Sequence, residues 1–180
     1  MRTTLVVLLL LAAALPAAAQ APGAPATGFR GEFIANFRTV QDKYLALANA
    51  IPQDKYTWRP GTGVRSVAEA LLHVASAQYL YGAPLGVKAP PGFDPKSFEI
   101  STTDKSTIIA ALRAAFAAMD AAVLALPAAS ADNPVKFFGQ TYTTRSLLLM
   151  ETDHNAEHLG QLIAYARVNG VVPPWSMGGS

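Results

Sequence analysis

The sequence predicts an all-α protein, and more specifically a four-helix bundle. Three observations predict it. Apolar residues recur at spacings of three and four in four long segments, and clusters of proline and glycine separate these segments. No sustained apolar–polar alternation, which would indicate strands, is present outside one short stretch. The chain has 180 residues, of which 51% are hydrophobic, so it fits one domain with a substantial core.

The N-terminal segment is predicted to be a signal peptide over residues 1–19. Arg2 supplies a positive charge, an apolar run follows, and Ala17-Ala18-Ala19 offers a small-residue cleavage site. The apolar run of about 11 residues is shorter than the roughly 20 needed to span a bilayer. We therefore expect an exported protein, periplasmic or secreted, with no membrane span after cleavage. A retained interfacial anchor is the alternative. Residues 20–28 are expected to be a flexible lead-in.

Charge and cysteine content narrow the function classes. Loss of Arg2 with the signal lowers the formal net charge from +2 to +1. This is too little for a nucleic-acid partner, which requires clustered basic residues. The chain contains no cysteine, so disulfides cannot stabilise it after export. Its stability must come from packing, with a bound metal as a further contributor.

The first helix is predicted over residues 29–50. Its apolar stripe consists of Phe33, Phe37, Val40, Tyr44 and Leu47. Ile51-Pro52 ends the helix, because a proline disfavours helical geometry in the residue before it. The loop that follows contains Pro60, Gly61 and Gly63.

The second helix begins with Ser66-Val67-Ala68-Glu69, a capping-box pattern in which Ser66 and Glu69 bond each other's backbone N–H groups. The apolar stripe then includes Val67, Ala70, Leu71, Val74, Ala77 and Tyr81. The helix should end near Gly82. Residues 85–98 are rich in proline and glycine and are expected to form a surface loop.

The third helix is predicted from just after Thr103 to about Leu126. Its many alanines favour helix and allow close packing, which could support a homodimer. Residues 128–143 form the next loop, in which a short strand or a turn is expected around Gly139.

The last helix opens near Thr144 and ends at Gly170, where glycine suits a left-handed cap. Pro173-Pro174 prevents its continuation. The bundle domain is thus predicted over residues 29–175, with a C-terminal tail over 176–180.

Two of the three histidines lie four residues apart in the last helix. His154 and His158 therefore share one helix face and can direct their ring nitrogens to one point. The pattern alone is weak evidence. Asn155 follows the first histidine where zinc proteases have glutamate, which excludes that class.

The third histidine, His73, lies beside the apolar stripe of the second helix. If the second and last helices are neighbours, His73 can complete a metal site with His154 and His158. Three neutral nitrogen ligands leave positions open for water or substrate, whereas structural zinc sites usually have four protein ligands. The alternative is a histidine at the core edge, hydrogen-bonded to a carbonyl.

The sequence resembles the DinB/YfiT-like superfamily. The residues that carry the resemblance are Trp58-Arg59-Pro60, residues 66–73, residues 154–162, Gly170 and Pro173-Pro174. The resemblance implies a four-helix bundle in which His73, His154 and His158 bind a divalent metal. It also implies kinship with metal-dependent transferases that use low-molecular-weight thiols. Those relatives are mostly cytoplasmic, so the predicted export signal weakens the thiol-transferase interpretation.

The remaining expectations concern the chemistry of the site. Glu151 and Gln161 are each three residues from a histidine and are the candidate catalytic or hydrogen-bonding residues. Zinc or nickel is favoured as the ion, with iron, manganese and copper left open, because imidazole suits several of these metals. The protein is expected to be either a metal-dependent hydrolase or transferase acting on an unknown small molecule, or a non-catalytic metal-binding or interaction module. Histidines that serve packing alone are the third alternative.

Overall fold

A computed structural model describes residues 27–177. The predicted signal peptide, most of the lead-in and the last residues of the tail lie outside the described residues. The described elements are α1 (Gly28–Ala50), α2 (Val67–Gly82), α3 (Pro95–Glu99), α4 (Lys105–Ala125), β1 (Pro134–Phe137), β2 (Gln140–Thr143) and α5 (Thr144–Val168). The four long helices confirm the predicted all-α bundle.

The four long helices enclose a single apolar core. α2 packs against both α4 and α5, and α1 packs against the same two helices. Tyr44, Leu71, Phe116 and Leu148 contribute one buried side chain from each long helix. The apolar stripes predicted from helical periodicity face this core. This arrangement places α2 beside α5, and the line of contact between these two helices is called the seam.

The capping box at the start of α2 is present as predicted. Ser66 Oγ accepts from the Glu69 backbone N–H at 3.2 Å, and Glu69 Oε2 accepts from the Ser66 N–H at 2.8 Å. Glu69 also forms an ion pair with Arg59 at 2.7 Å. These contacts fix the first turn of α2, two turns before His73.

The segment between α2 and α4 is more ordered than the sequence suggested, and the prediction of a plain surface loop over residues 85–98 was wrong in part. Asp94 caps α3 by accepting from the Ser97 N–H at 2.8 Å, and Pro95 occupies the first helical position. Phe93 and Phe98 pack edge-on against Tyr79 of α2, with ring centroids 5.3 and 6.3 Å from it. This aromatic contact holds α3 against α2.

The strand-or-turn region before α5 is a β-hairpin. β1 and β2 pair antiparallel, and the turn residues Phe138 and Gly139 both have positive φ angles, 45° and 77°. Phe137 stacks on Tyr81 of α2, with ring centroids 4.9 Å apart. Thr143 then caps α5 by accepting from the backbone N–H of the third helical residue at 3.1 Å. The hairpin thereby fixes the start of α5 against the end of α2.

By length and composition α4 could cross a membrane. Its buried residues, such as Leu112 and Phe116, face the bundle core. Asp120 on the outer side forms an ion pair with Arg38 of α1 at 2.6 Å. These contacts are those of a bundle helix.

Candidate metal centre

The three histidines converge at the seam between α2 and α5. One ring nitrogen of each lies within 4.8 Å of the others. The ring centroid of His73 is 5.0 Å from that of His154 and 4.6 Å from that of His158, and the two α5 rings are 4.5 Å apart. All three side chains are half-buried. The fold thus brings together the residues that the sequence singled out.

Glu99, at the end of α3, binds the far side of His73. Its Oε1 lies 2.5 Å from His73 Nδ1, and its Oε2 accepts from Arg65 Nε at 2.9 Å. Burial alone would raise the pKa of Glu99, but the hydrogen bonds from His73 and Arg65 outweigh it and lower this pKa. Glu99 is therefore ionised at neutral pH and can only accept. His73 must carry its proton on Nδ1, which leaves a lone pair on Nε2.

Gln161 performs the same function for His158. His158 Nδ1 lies 2.8 Å from Gln161 Oε1, and Gln161 Nε2 donates to the Tyr165 hydroxyl at 2.7 Å. Since the amide nitrogen is used by Tyr165, the amide oxygen accepts from the histidine ring. This leaves Nε2 of His158 as its lone-pair nitrogen. The sequence left open whether Gln161 bonds a histidine or only packs, and in the structure it makes the hydrogen bond.

Within the described residues, His154 has no such acceptor behind it. Its Nδ1 is buried and makes no hydrogen bond to the described part of the chain, and its Nε2 lies 3.0 Å from His73 Nε2. Burial, together with the smaller effects of His158, His73 and Arg65, lowers the pKa of His154 to about 4. Burial also lowers the pKa of His158. Both rings are therefore neutral at pH 7.

A divalent cation fits this donor set. His73 and His158 each hold a proton on the outer nitrogen and direct a lone pair inward, so the centre is rich in acceptors. Metal-bound histidines usually have an oxygen acceptor behind the ring, as Glu99 and Gln161 provide here. Three protein nitrogens would leave at least one coordination position for water or a small molecule.

Glu151 lies in the core and makes no hydrogen bond to a histidine within residues 27–177. It is 0% exposed, and its Oε1 accepts from Asn155 Nδ2. Burial raises its pKa to about 8, partly opposed by hydrogen bonds from Gln78 and Asn155. Glu151 is thus largely protonated at neutral pH. Catalytic roles for Glu151 and Gln161 stay predictions.

Aromatic side chains lie at both ends of the histidine seam. The Tyr81 ring centroid is 5.5 Å from that of His154, near the hairpin. At the other end, Trp58 packs edge-on against Tyr165, with centroids 5.2 Å apart. A small molecule at the open side of the histidines would therefore meet apolar surface along the seam.

Sequence reasoning missed Glu99 and Arg65. The Asp94-Pro95 pair is a local signal for a short helix ending near Glu99. No spacing rule, however, connects residue 99 to residue 73, since their contact depends on how the aromatic residues of this segment pack on α2.

Comparison with known proteins places the chain in a family. A family model described as the DinB superfamily matches residues 36–162. None of the curated proteins matches the sequence. Among solved structures, a DinB-like protein from Bacillus cereus ATCC 10987 superposes with a TM-score of 0.70 at 17% identity, covering 79% of this chain and 93% of that one. A DinB-like protein from Bacillus subtilis superposes with a TM-score of 0.62 at 20% identity, covering 77% and 92%.

At these identities the structural likeness concerns the fold alone, and it agrees with the bundle described above. The family match extends from within α1 to within α5 and includes His73, His154 and His158. The chain belongs to the DinB superfamily.

Proposed function

We propose that this protein is an exported, metal-dependent enzyme that acts on a small molecule, as a hydrolase or as a transferase of the thiol type. His73, His154 and His158 bind one divalent ion, with zinc or nickel favoured. The observation that carries the proposal is the convergence of three ring nitrogens within 4.8 Å. The hydrogen bonds from His73 to Glu99 and from His158 to Gln161 support it, because they leave a lone pair on each ring.

The chemistry follows from the open coordination. A divalent ion held here would lower the pKa of a bound water or thiol, or polarise a carbonyl. Glu99 and Gln161 fix the orientation of two rings, and burial keeps His154 and His158 neutral so that their nitrogens are available near pH 7. Half-burial of the histidines leaves one side of the centre accessible to a substrate.

Metal analysis tests the binding step. We expect the purified mature protein, after dialysis against zinc or nickel, to retain one ion per chain at pH 7.5. The ion should be lost as the pH falls toward the histidine range, because protonated imidazole cannot act as a ligand. Elemental analysis across this pH range is the measurement. A protein that retains no first-row divalent ion at pH 7.5 would contradict the proposal.

Activity assays separate an enzyme from a non-catalytic metal-binding module. Ester and amide hydrolysis and thiol transfer to electrophiles should be compared for the zinc, nickel and metal-free forms. We expect at least one reaction to depend on the metal. Inactivity in every metal form, with metal bound, would favour the non-catalytic module.

Export and assembly are part of the proposal and have their own tests. The sequence of residues 1–19 supports export, and fractionation of expressing cells should find the shortened chain outside the cytoplasm. A homodimer through the alanine-rich α4 is proposed from composition, and light scattering of the purified protein would measure it.

A further inference from the structure

The end of the described chain carries a group of exposed apolar side chains. Within residues 27–177, nine large apolar side chains are exposed, and four of these lie in residues 168–177. Val168 is 73% exposed, Val172 46%, Trp175 39% and Met177 71%. We call these four residues the C-terminal cluster. Single apolar side chains are common on protein surfaces, but this concentration in one segment indicates a contact surface.

The segment that carries the C-terminal cluster folds back against the end of α5. Gly170 has a positive φ angle of 75°, which reverses the chain after the helix. The Val171 N–H then donates to the Ala166 carbonyl at 2.8 Å. Further along, Arg167 Nη2 donates to Ser176 Oγ at 3.5 Å. These contacts join the last turn of α5 to the segment that follows it, so the cluster lies at one end of the bundle and not along an extended tail.

Two cations border the C-terminal cluster. The Lys43 ammonium of α1 lies 5.8 Å from the centre of the Trp175 ring, and Arg167 contacts the same segment. Neither Lys43 nor Arg167 forms an ion pair within the described chain. Residues 168–177 include no acid. Asp42 precedes Lys43 but lies on another face of α1, because successive residues of a helix do not face each other. The surface is therefore apolar with a positive border.

The charges favour one kind of occupant over another. A second copy of the chain that docked symmetrically on this cluster would bring Lys43 and Arg167 close to their own copies, with no acid in the cluster to offset the repulsion. A membrane surface that contains anionic lipids instead offers negative charge to the border and an apolar interior to the centre. Tryptophan is enriched at membrane interfaces, where its ring and its N–H meet both environments. The composition of the cluster thus fits a lipid surface.

We propose that the C-terminal cluster binds the surface of a membrane that contains anionic lipids. The protein then lies on the membrane with one end of its bundle and does not span it. Apolar side chains enter the boundary between headgroups and acyl chains, while the two cations stay at headgroup level. This inference does not depend on the metal site, because the cluster includes none of the three histidines.

Tryptophan fluorescence in the presence of vesicles tests this. The chain has two tryptophans, so Trp58→Phe leaves Trp175 as the single reporter. The vesicles consist of phosphatidylcholine alone or of phosphatidylcholine mixed with phosphatidylglycerol, each with and without acyl chains that carry bromine, which quenches tryptophan on contact. We expect the brominated anionic vesicles to quench Trp175. Trp175→Phe is the matched control: it keeps an aromatic ring in the cluster and leaves Trp58, which packs on Tyr165, as an unquenched reporter.

Vesicle co-sedimentation of variants separates the apolar from the charged contribution. The double change Val168→Ser and Met177→Ser should weaken binding roughly tenfold, because it removes apolar area that the membrane covers. Phe138→Ser, at the tip of the β-hairpin, alters a side chain that is 79% exposed and should leave binding unchanged. Arg167→Gln should weaken binding to the anionic vesicles about fivefold, the effect of one cation near a charged surface. Circular dichroism checks that each variant keeps its helices.

Three results would overturn the inference. The first is a Trp175 that neither kind of brominated vesicle quenches, and this measurement needs no change in the cluster. The second is equal quenching of Trp58 in Trp175→Phe, because the membrane contact would then not be confined to the cluster. The third is a protein that ignores vesicles and forms a dimer that the double change dissociates, as measured by light scattering, since a second copy would then cover the cluster. Failure to bind metal would leave this inference unaffected.

Discussion

Two polar clusters occupy neighbouring positions along α5, and burial changes the protonation of their side chains in opposite directions. His154 belongs to the half-buried histidine cluster. The next residue, Asn155, belongs to a fully buried core cluster that also contains Tyr44, Gln78 and Glu151. In that core cluster the Tyr44 hydroxyl donates to the Asn155 carbonyl at 2.6 Å, and Gln78 Nε2 donates to Asn155 Oδ1 at 3.0 Å. Asn155 in turn donates to Glu151. The core cluster thus links α1, α2 and α5 through buried hydrogen bonds.

The difference lies in the balance of donors and acceptors. Burial raises the pKa of Glu151 to about 8, so the core cluster keeps an extra proton and avoids a buried charge. Burial lowers the pKa values of His154 and His158, so the histidine cluster gives protons up and exposes lone pairs. The core cluster, whose acid stays protonated, therefore serves the stability of the fold. The histidine cluster, whose rings direct lone pairs to one point, can bind a cation.

The largest expected effect is loss of metal in His154→Ala. Removing one of three ligands should reduce bound metal from about one ion per chain to a small fraction at micromolar free metal, since only two imidazoles remain. Helical content should be unchanged, because the ring does not belong to the apolar core. Elemental analysis and circular dichroism measure the two quantities. Glu157→Gln, an exposed change on the same helix, is the control and should retain the ion.

The core cluster should show the opposite behaviour. Glu151→Ala is expected to lower the free energy of unfolding by about 3 kcal/mol, because it leaves a cavity and removes the acceptor of Asn155. Glu151→Gln should cost about 1 kcal/mol or less, since a neutral amide replaces a neutral acid of the same shape. Urea unfolding gives both values. Both variants should still bind metal, and metal loss in Glu151→Gln would contradict the division between the clusters.

The free energy of unfolding of the metal-free protein should depend on pH through both Glu151 and His154. Glu151 has a pKa of 4.5 when unfolded and about 8 when folded, so the stability it contributes is lost as the pH rises through this window. His154 has its pKa lowered from 6.5 to about 4, so its contribution is lost as the pH falls through that range. The free energy of unfolding should therefore decrease by about 2 kcal/mol as the pH rises on the alkaline side. This is less than the full pKa shift of Glu151 would imply.

Variants assign each side of this curve to a cluster. Glu151→Gln should flatten the decline above pH 6.5. Between pH 4.5 and 6.5 the two contributions oppose each other, so Glu151→Gln should expose the loss of stability that His154 causes as the pH falls, and His154→Ala should expose the gain that Glu151 causes there. Both are measured by urea unfolding with a chelator present. A curve whose alkaline side is unaltered by Glu151→Gln would show that another group titrates there.

The two clusters also show what the sequence can and cannot predict. Helix limits and caps were predictable, because periodicity and the Ser66–Glu69 box are local signals. His154 and His158 were predictable for the same reason, whereas His73 also required the second and last helices to be neighbours, as the resemblance to a family implied. Helical spacing placed Glu151 near His154 and Asn155 alike, and only packing decides that it turns into the core. Glu99 could not be predicted, since its contact depends on aromatic packing between α3 and α2.

The smallest expected effect concerns Glu99. Glu99→Gln should weaken metal binding about tenfold, because an amide oxygen accepts the His73 proton less strongly and makes the ring a weaker ligand. Competition with a chromophoric chelator measures the affinity. Glu69→Gln is the matched control, as Glu69 is also paired with an arginine and its side chain is 22% exposed against 17% for Glu99. If Glu99→Gln bound metal as tightly as the wild-type protein and the Glu69→Gln control, Glu99 would hold the His73 ring in place without making it a stronger ligand.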